Sequence, residues 1–215
     1  MAKAMVLTKE NVIATMAGRK RMTRRIINPQ PKTDKSILCT MIDTTSREDG
    51  KYRGWNYWAE YEDICEVKGT RTKYFKPRYQ VGDEVYIAEG YQIRHWHSPS
   101  MNITGIYTSD NQTFDINLTE REWNLFRNRI FPDSISPGRF MYKSLARTFM
   151  TITGVGAERV QDISLKDIIA EGITPKNRTE PTMYIAWYNL WDSIHGEGAA
   201  ADNKWVFWYK WERSK

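Results

Sequence analysis

The sequence is poor in the residues that build crosslinked or metal-held folds. Its two cysteines, Cys39 and Cys65, form no C-x-x-C pair, which excludes a disulfide framework and a cysteine zinc cluster and fits a reducing, cytoplasmic setting. Histidine is as scarce, with His95, His97 and His195 only. The first two share a strand face in "HWH", but no third ligand at a matching spacing joins them, so neither a metal nor a cofactor is expected. No stretch approaches the roughly 20 apolar residues of a membrane span, and the amino terminus lacks the apolar core of a signal peptide. Internal repeats and low-complexity tracts are also missing. The expectation is one cytoplasmic domain over 1–215, with no membrane partner, large enough to bury a core without staples.

Positive charge and aromatic area are plentiful. Lys and Arg number 32 against 26 Asp and Glu, a balance of +6 that favours polyanionic partners. Nine Trp and twelve Tyr suit stacking on bases where they stand beside cations, although most of them belong in a core of this size.

Along the chain, "LTKENVIATMAG" predicts a helix with Thr8 as N-cap, Gly18 as stop and Val12, Ile13, Met16 and Ala17 on one face. "NPQP" then breaks regular structure. The segment 32–78 is polar, carries turn residues and shows no sustained period, so it reads as an irregular insertion. "GDEVYIAEGYQI" predicts a strand with Val85, Ile87 and Glu89 to one side. A capping box in Thr119 and Glu122 opens a helix whose stripe is Trp123, Phe126 and Ile130. After the "SPG" loop come one or two Thr, Ile and Val-rich strands. Ser164 caps a short helix closed by Gly172, and a longer helix over 181–194 buries Tyr184, Trp187, Tyr188, Trp191 and Ile194. The last strand, "NKWVFWYKWE", sets Trp205, Phe207, Tyr209 and Trp211 on one face.

The densest cationic run is "GRKRMTRRII", where the first helix gives way to a strand, a junction of the kind on which side chains converge at a pocket. Lys20 and Thr23 lie three apart, and Arg24 or Arg25 offers a fork for a phosphate. Hydroxyl, amine and guanidinium groups together make a nucleotide site. Arg139, Lys143 and Arg147 in "GRFMYKSLAR" are candidates for a phosphate track. Glu89, if buried, needs Arg25 or Arg147 as its partner. Trp96, between two histidines, is the stacking candidate and with Glu89 a candidate pocket residue.

The ordered series "GRKRMTRRIIN", "VGDEVYIAEGY", "GRFMYKSLAR", "VQDIS", "AEGI", "LWDSI" and "NKWVFW" resembles the phage and prophage proteins of the ASCH group, within the PUA-like superfamily. The resemblance implies an α+β fold, a PUA-like mixed β-barrel with rim helices, with 32–78 and 98–118 as variable segments. It also implies a basic cleft at the barrel mouth that takes RNA or a modified nucleotide. The small bacterial N4-acetylcytidine amidohydrolases are similar in fold, and their Lys-x-x-Thr and Glu match Lys20, Thr23 and Glu171. Arg21 stands where those enzymes carry a second Thr, and they are about half as long. By that resemblance Thr23 attacks an acyl carbon, Lys20 takes its proton and Glu171 serves the leaving amine. The resulting expectation is a phage-type protein that binds RNA or a nucleotide, with DNA as a further polyanion, and hydrolyses an N-acylated nucleobase if it is an enzyme. A ribonuclease and a non-catalytic factor acting on a host protein are the alternatives; the sequence names no protein partner.

Overall fold

The computed structural model describes residues 2–31, 37–42, 56–61, 73–130, 133–175, 177 and 179–214, with the backbone alone for 37–42, 56–61 and 73–75. In chain order the elements are β1 (Lys3–Val6), α1 (Lys9–Met16), β2 (Met22–Ile26), β3 (Ile37–Ile42), β4 (Asn56–Tyr61), β5 (Lys73–Phe75), β6 (Glu84–Ala88) and β7 (Tyr91–His97). Then follow β8 (Asn102–Tyr107), β9 (Thr113–Asn117), α2 (Glu120–Arg127), β10 (Ile135–Ser136), β11 (Phe149–Arg159), α3 (Leu165–Ala170), α4 (Glu180–His195) and β12 (Trp205–Arg213). The chain divides into two compact units: Met1–Lys20 with Asp83–Thr151 and Glu212–Lys215, and Arg21–Gly82 with Ile152–Trp211. The α+β class stands, and among the described residues no sheet closes into a barrel.

In the first unit β1 runs parallel to β6, and β6 pairs antiparallel with the start of β11, Phe149 facing Tyr86. Four strands in the order β10-β7-β8-β9 make an antiparallel sheet, with a bulge in β7 between Ile93 and His95. Val85, Tyr86, Ile87 and Ala88 are all buried, so β6 has no polar face and lacks the alternation expected of it. The core gathers Tyr91, Ile93, Ile103, Tyr107 and Phe114 from the sheet with Trp123 and Phe126 from α2. Thr8 caps α1 by accepting from the Asn11 N–H, and Gly18 ends it at a φ of +72° that only glycine adopts freely. The buried side of α1 is Val12, Ala14 and Thr15, whereas Ile13, expected inside, is exposed.

In the second unit β12 lies beside β11 and pairs antiparallel with β2, placing Tyr209 opposite Thr23 and Trp208 opposite Arg24. The Trp208 ring lies so close to Gly156 that a Cβ there would come within 2.2 Å of it. Against this sheet the core collects Val160, Ile163, Ile168, Met183, Trp187, Trp191 and Val206. Tyr184 and Tyr188 are only half-buried and Ile194 is exposed, so the buried stripe of α4 is narrower than its sequence suggests.

The insertion is not irregular throughout: β3, β4 and β5 form a three-stranded antiparallel sheet, with Cys39 opposite Ala59 and Ala59 opposite Tyr74. "ILCTMI" escapes a search for periods because it is apolar at nearly every position, and β5 is too short to show one. Cys65 lies outside the described residues. No helix among those described is long and apolar enough to cross a membrane.

Candidate functional site

Two arginine clusters organise the polar chemistry, one in each unit. In the second unit, Met22, Arg24 and Ile26 occupy one face of β2, because side chains alternate along a strand. The Arg24 side chain is fully buried, and its guanidinium lies 5.5 Å from the centroid of the Trp187 ring. Three carboxylates meet it. Its Nε donates to Glu158 Oε1 at 2.6 Å, its Nη1 to Glu171 Oε1 at 3.0 Å, and Asp167 Oδ2 lies 3.5 Å from Nη2. The contact of Nη2 with Glu158 at 2.6 Å is an ion pair without hydrogen-bond alignment. Lys210, opposite Met22 in the ladder, adds a second cation to Asp167 at 3.1 Å. Burial raises the pKa of Glu158, against the pull of Arg24.

Glu171 caps the carboxyl end of α3, its N–H donating to Asp167 O at 2.8 Å, which turns its buried side chain towards Arg24. Thr23 goes elsewhere. Alternation sends it to the opposite face of β2 beside Tyr209, whose ring stands edge-on to Tyr79 and whose hydroxyl accepts from the Arg78 N–H at 3.1 Å. Burial pushes the Tyr209 phenol up to about 12. The second unit therefore joins Glu171 to Arg24, and sets Thr23 on the other side of the strand. Arg25 is exposed, as a phosphate-facing residue would be. Arg24, expected to share that task, is engaged by carboxylates of its own chain. Lys20 belongs to the first unit, where it is 2% exposed and its N–H donates to Ala14 O at 3.1 Å.

The first unit holds Glu89, buried, with Arg147 as its partner, one of the two that its burial required. Arg147 Nε and Nη2 grip the Glu89 carboxylate at 2.8 Å each, and its Nη1 holds Asp110 at 2.9 Å. Ser109 donates to Glu89 as well, and the guanidinium lies 3.9 Å from the centroid of the Tyr107 ring. Burial tends to lower the Arg147 pKa, but the hydrogen bonds and charges of Glu89 and Asp110 outweigh it and raise it. Asp110, despite some burial, is held below the usual carboxylate range by Arg147. Of the expected phosphate track, Arg147 is thus tied inward, while Arg139 and Lys143 are exposed on two 3-10 turns. The Arg139 guanidinium lies 4.8 Å from the centroid of Phe140, a ring 59% exposed. Lys143 reaches Glu84 at 3.4 Å and lies 5.6 Å from the centroid of Phe149.

Trp96 stands edge-on to Trp123, ring centroids 5.1 Å apart. With Ser98, Arg127 and Ile130 the two rings line a pocket of about 410 Å³. His95 and His97 are exposed, with ring centroids 6.4 Å apart, and among the described residues no group of three His, Cys, Asp or Glu is placed to hold a metal. Sequence reasoning missed Glu158, Asp167, Asp110 and Trp123 as site residues. A signal for the acids existed: arginines that flank apolar strand residues need carboxylates once buried. Neither a protein-family model, nor a curated protein, nor a solved structure matches the chain.

Proposed function

We propose that this chain is a phage-type ASCH protein of PUA-like fold that binds RNA or a nucleotide through exposed cations paired with exposed rings. The observation that carries this reading is the Arg139–Phe140 pair, a guanidinium lying over a ring that is itself open to solvent, with exposed Lys143 three residues on. Single-stranded nucleic acid binds such surfaces by stacking bases on the ring and setting phosphates on the cations. Exposed Arg19, Arg21 and Arg25 and the balance of +6 support the same partner class. The resemblance adds an N-acylated nucleobase as ligand class. It does not carry the hydrolytic step in its expected form, because strand alternation parts Thr23 from Glu171 and Glu171 already neutralises Arg24.

The test is a salt titration with a short single-stranded RNA. Affinity should fall steeply with salt, and Arg139→Ala should weaken binding and flatten the slope by about one unit of neutralised phosphate. Phe140→Ala should weaken binding by about 1–3 kcal/mol with the slope unchanged. Affinity that ignores salt and both substitutions would overturn the proposal. Shortened RNA would make the chain a ribonuclease, and acid released from an acylated nucleoside would restore hydrolysis.

A further inference from the structure

The pocket of the first unit has a composition that selects a ligand. Trp96 stands near the end of β7, and Ser98 opens the 3-10 turn that follows it. Trp123 and Arg127 lie four apart on α2 and so share a helix face. The bulge in β7 just before Trp96 is a device that re-aims side chains at sites. These elements bring together two indoles at an interplanar angle of 74°, one guanidinium, one hydroxyl and Ile130. Among the described residues no carboxylate lines the space. A cationic ligand would meet the Arg127 guanidinium. A flat ring meets the face of one indole and the edge of the other, the two orientations that aromatic quadrupoles favour. An anionic group meets Arg127 and the Ser98 hydroxyl. The volume, about 410 Å³, lies within the range of about 300–1,000 Å³ in which small-molecule sites fall.

We propose that this pocket is a nucleotide-binding site that packs a base against Trp96 and Trp123 and sets its 5′-phosphate on Arg127 and Ser98. It is a second site, formed by other residues than the Arg139–Phe140 surface, and its ligand is a nucleoside monophosphate, free or as one residue of an RNA strand. Arg127 is exposed, so a phosphate reaches it from solvent.

Isothermal titration of the full chain with AMP, adenosine, inorganic phosphate and a hexa-adenylate RNA tests this. AMP should bind at least about tenfold more tightly than adenosine or phosphate alone, since only it fills both halves of the pocket. Ser98→Glu sets a carboxylate at an exposed position without disturbing the core, and should weaken AMP about tenfold while leaving adenosine nearly unchanged. Arg127→Ala should bring AMP down to the affinity of adenosine. Binding of AMP identifies the free nucleotide as ligand; binding of the hexamer alone, with the same sensitivity to Ser98→Glu and Arg127→Ala, identifies a residue of the strand. AMP and hexamer affinities that neither substitution changes, or no binding of either, overturn the pocket. In the first case, a hexamer affinity that still falls in Arg139→Ala keeps the surface reading of the function while the pocket fails.

Discussion

Arg24 and Arg25 are neighbours with opposite fates. One guanidinium is enclosed by Glu158, Asp167 and Glu171, and the other is exposed. In "TRRI" the two are equivalent as sequence, and which one turns inward depends on where β2 begins and how it pairs with β12. The consequence is that Arg24→Ala acts on stability. Removing the central cation of a buried ion cluster takes a counter-charge away from desolvated carboxylates, a loss of about 3–5 kcal/mol. Arg24→Ala should therefore lower the urea midpoint sharply, and the double variant Arg24→Met with Glu171→Gln should recover part of the loss, because no formal charge then remains at the Glu171 position. A variant with unchanged stability and weakened ligand binding would return Arg24 to the ligand. The direction of Glu89 was easier to read, since a carboxylate after a buried strand needs a cation and Arg147 supplies it bidentately.

At the scale of elements, the helix ends were legible because capping is local chemistry. Thr119 accepts from the Glu122 N–H at 3.3 Å, and Glu122 Oε2 accepts in return from the Thr119 N–H at 3.1 Å. Thr119→Ala removes one side of this box and should cost about 1 kcal/mol, read as a lower melting temperature with an unchanged fold. Glu122 has a pKa below its ordinary 4.5, because the Thr119 hydrogen bonds outweigh the opposing effect of burial. A depressed carboxylate stabilises above its unfolded pKa and loses that contribution as pH falls through the folded value. The stability gap between the wild type and Glu122→Ala should thus be present at neutral pH and shrink as pH falls below 4.5; a gap that widens in acid would show that the charge does not hold the cap. Ser164, Gly18 and Gly172 were read by the same local logic. In β6 the strand was legible but not its alternation, because it is buried at Val85 to Ala88, and β3 was not read because its sequence is apolar along its length, so pairing, a non-local property, decides it.

At the scale of the whole chain, the question is which part carries the fold and the charge. The strands β3, β4 and β5 pair with one another, and among the described residues none of them pairs with a strand outside this sheet. Antiparallel neighbours of this kind need only short-range closure, so their ladder is self-contained. Residues 37–75 hold six Lys and Arg against seven Asp and Glu, so excising them removes none of the net positive charge. Replacing 37–75 by a flexible Gly-Ser linker should therefore leave a cooperative melt, and closing the shorter loop should change stability by only about 1 kcal/mol. The salt-dependent affinity for RNA should survive with its slope intact, because the exposed Arg19, Arg21, Arg25, Arg139 and Lys143 remain. Loss of the cooperative transition would show that the small sheet packs into the core of its unit. A retained transition with a flattened salt slope would instead assign phosphate contacts to the lysines and arginines of the excised segment.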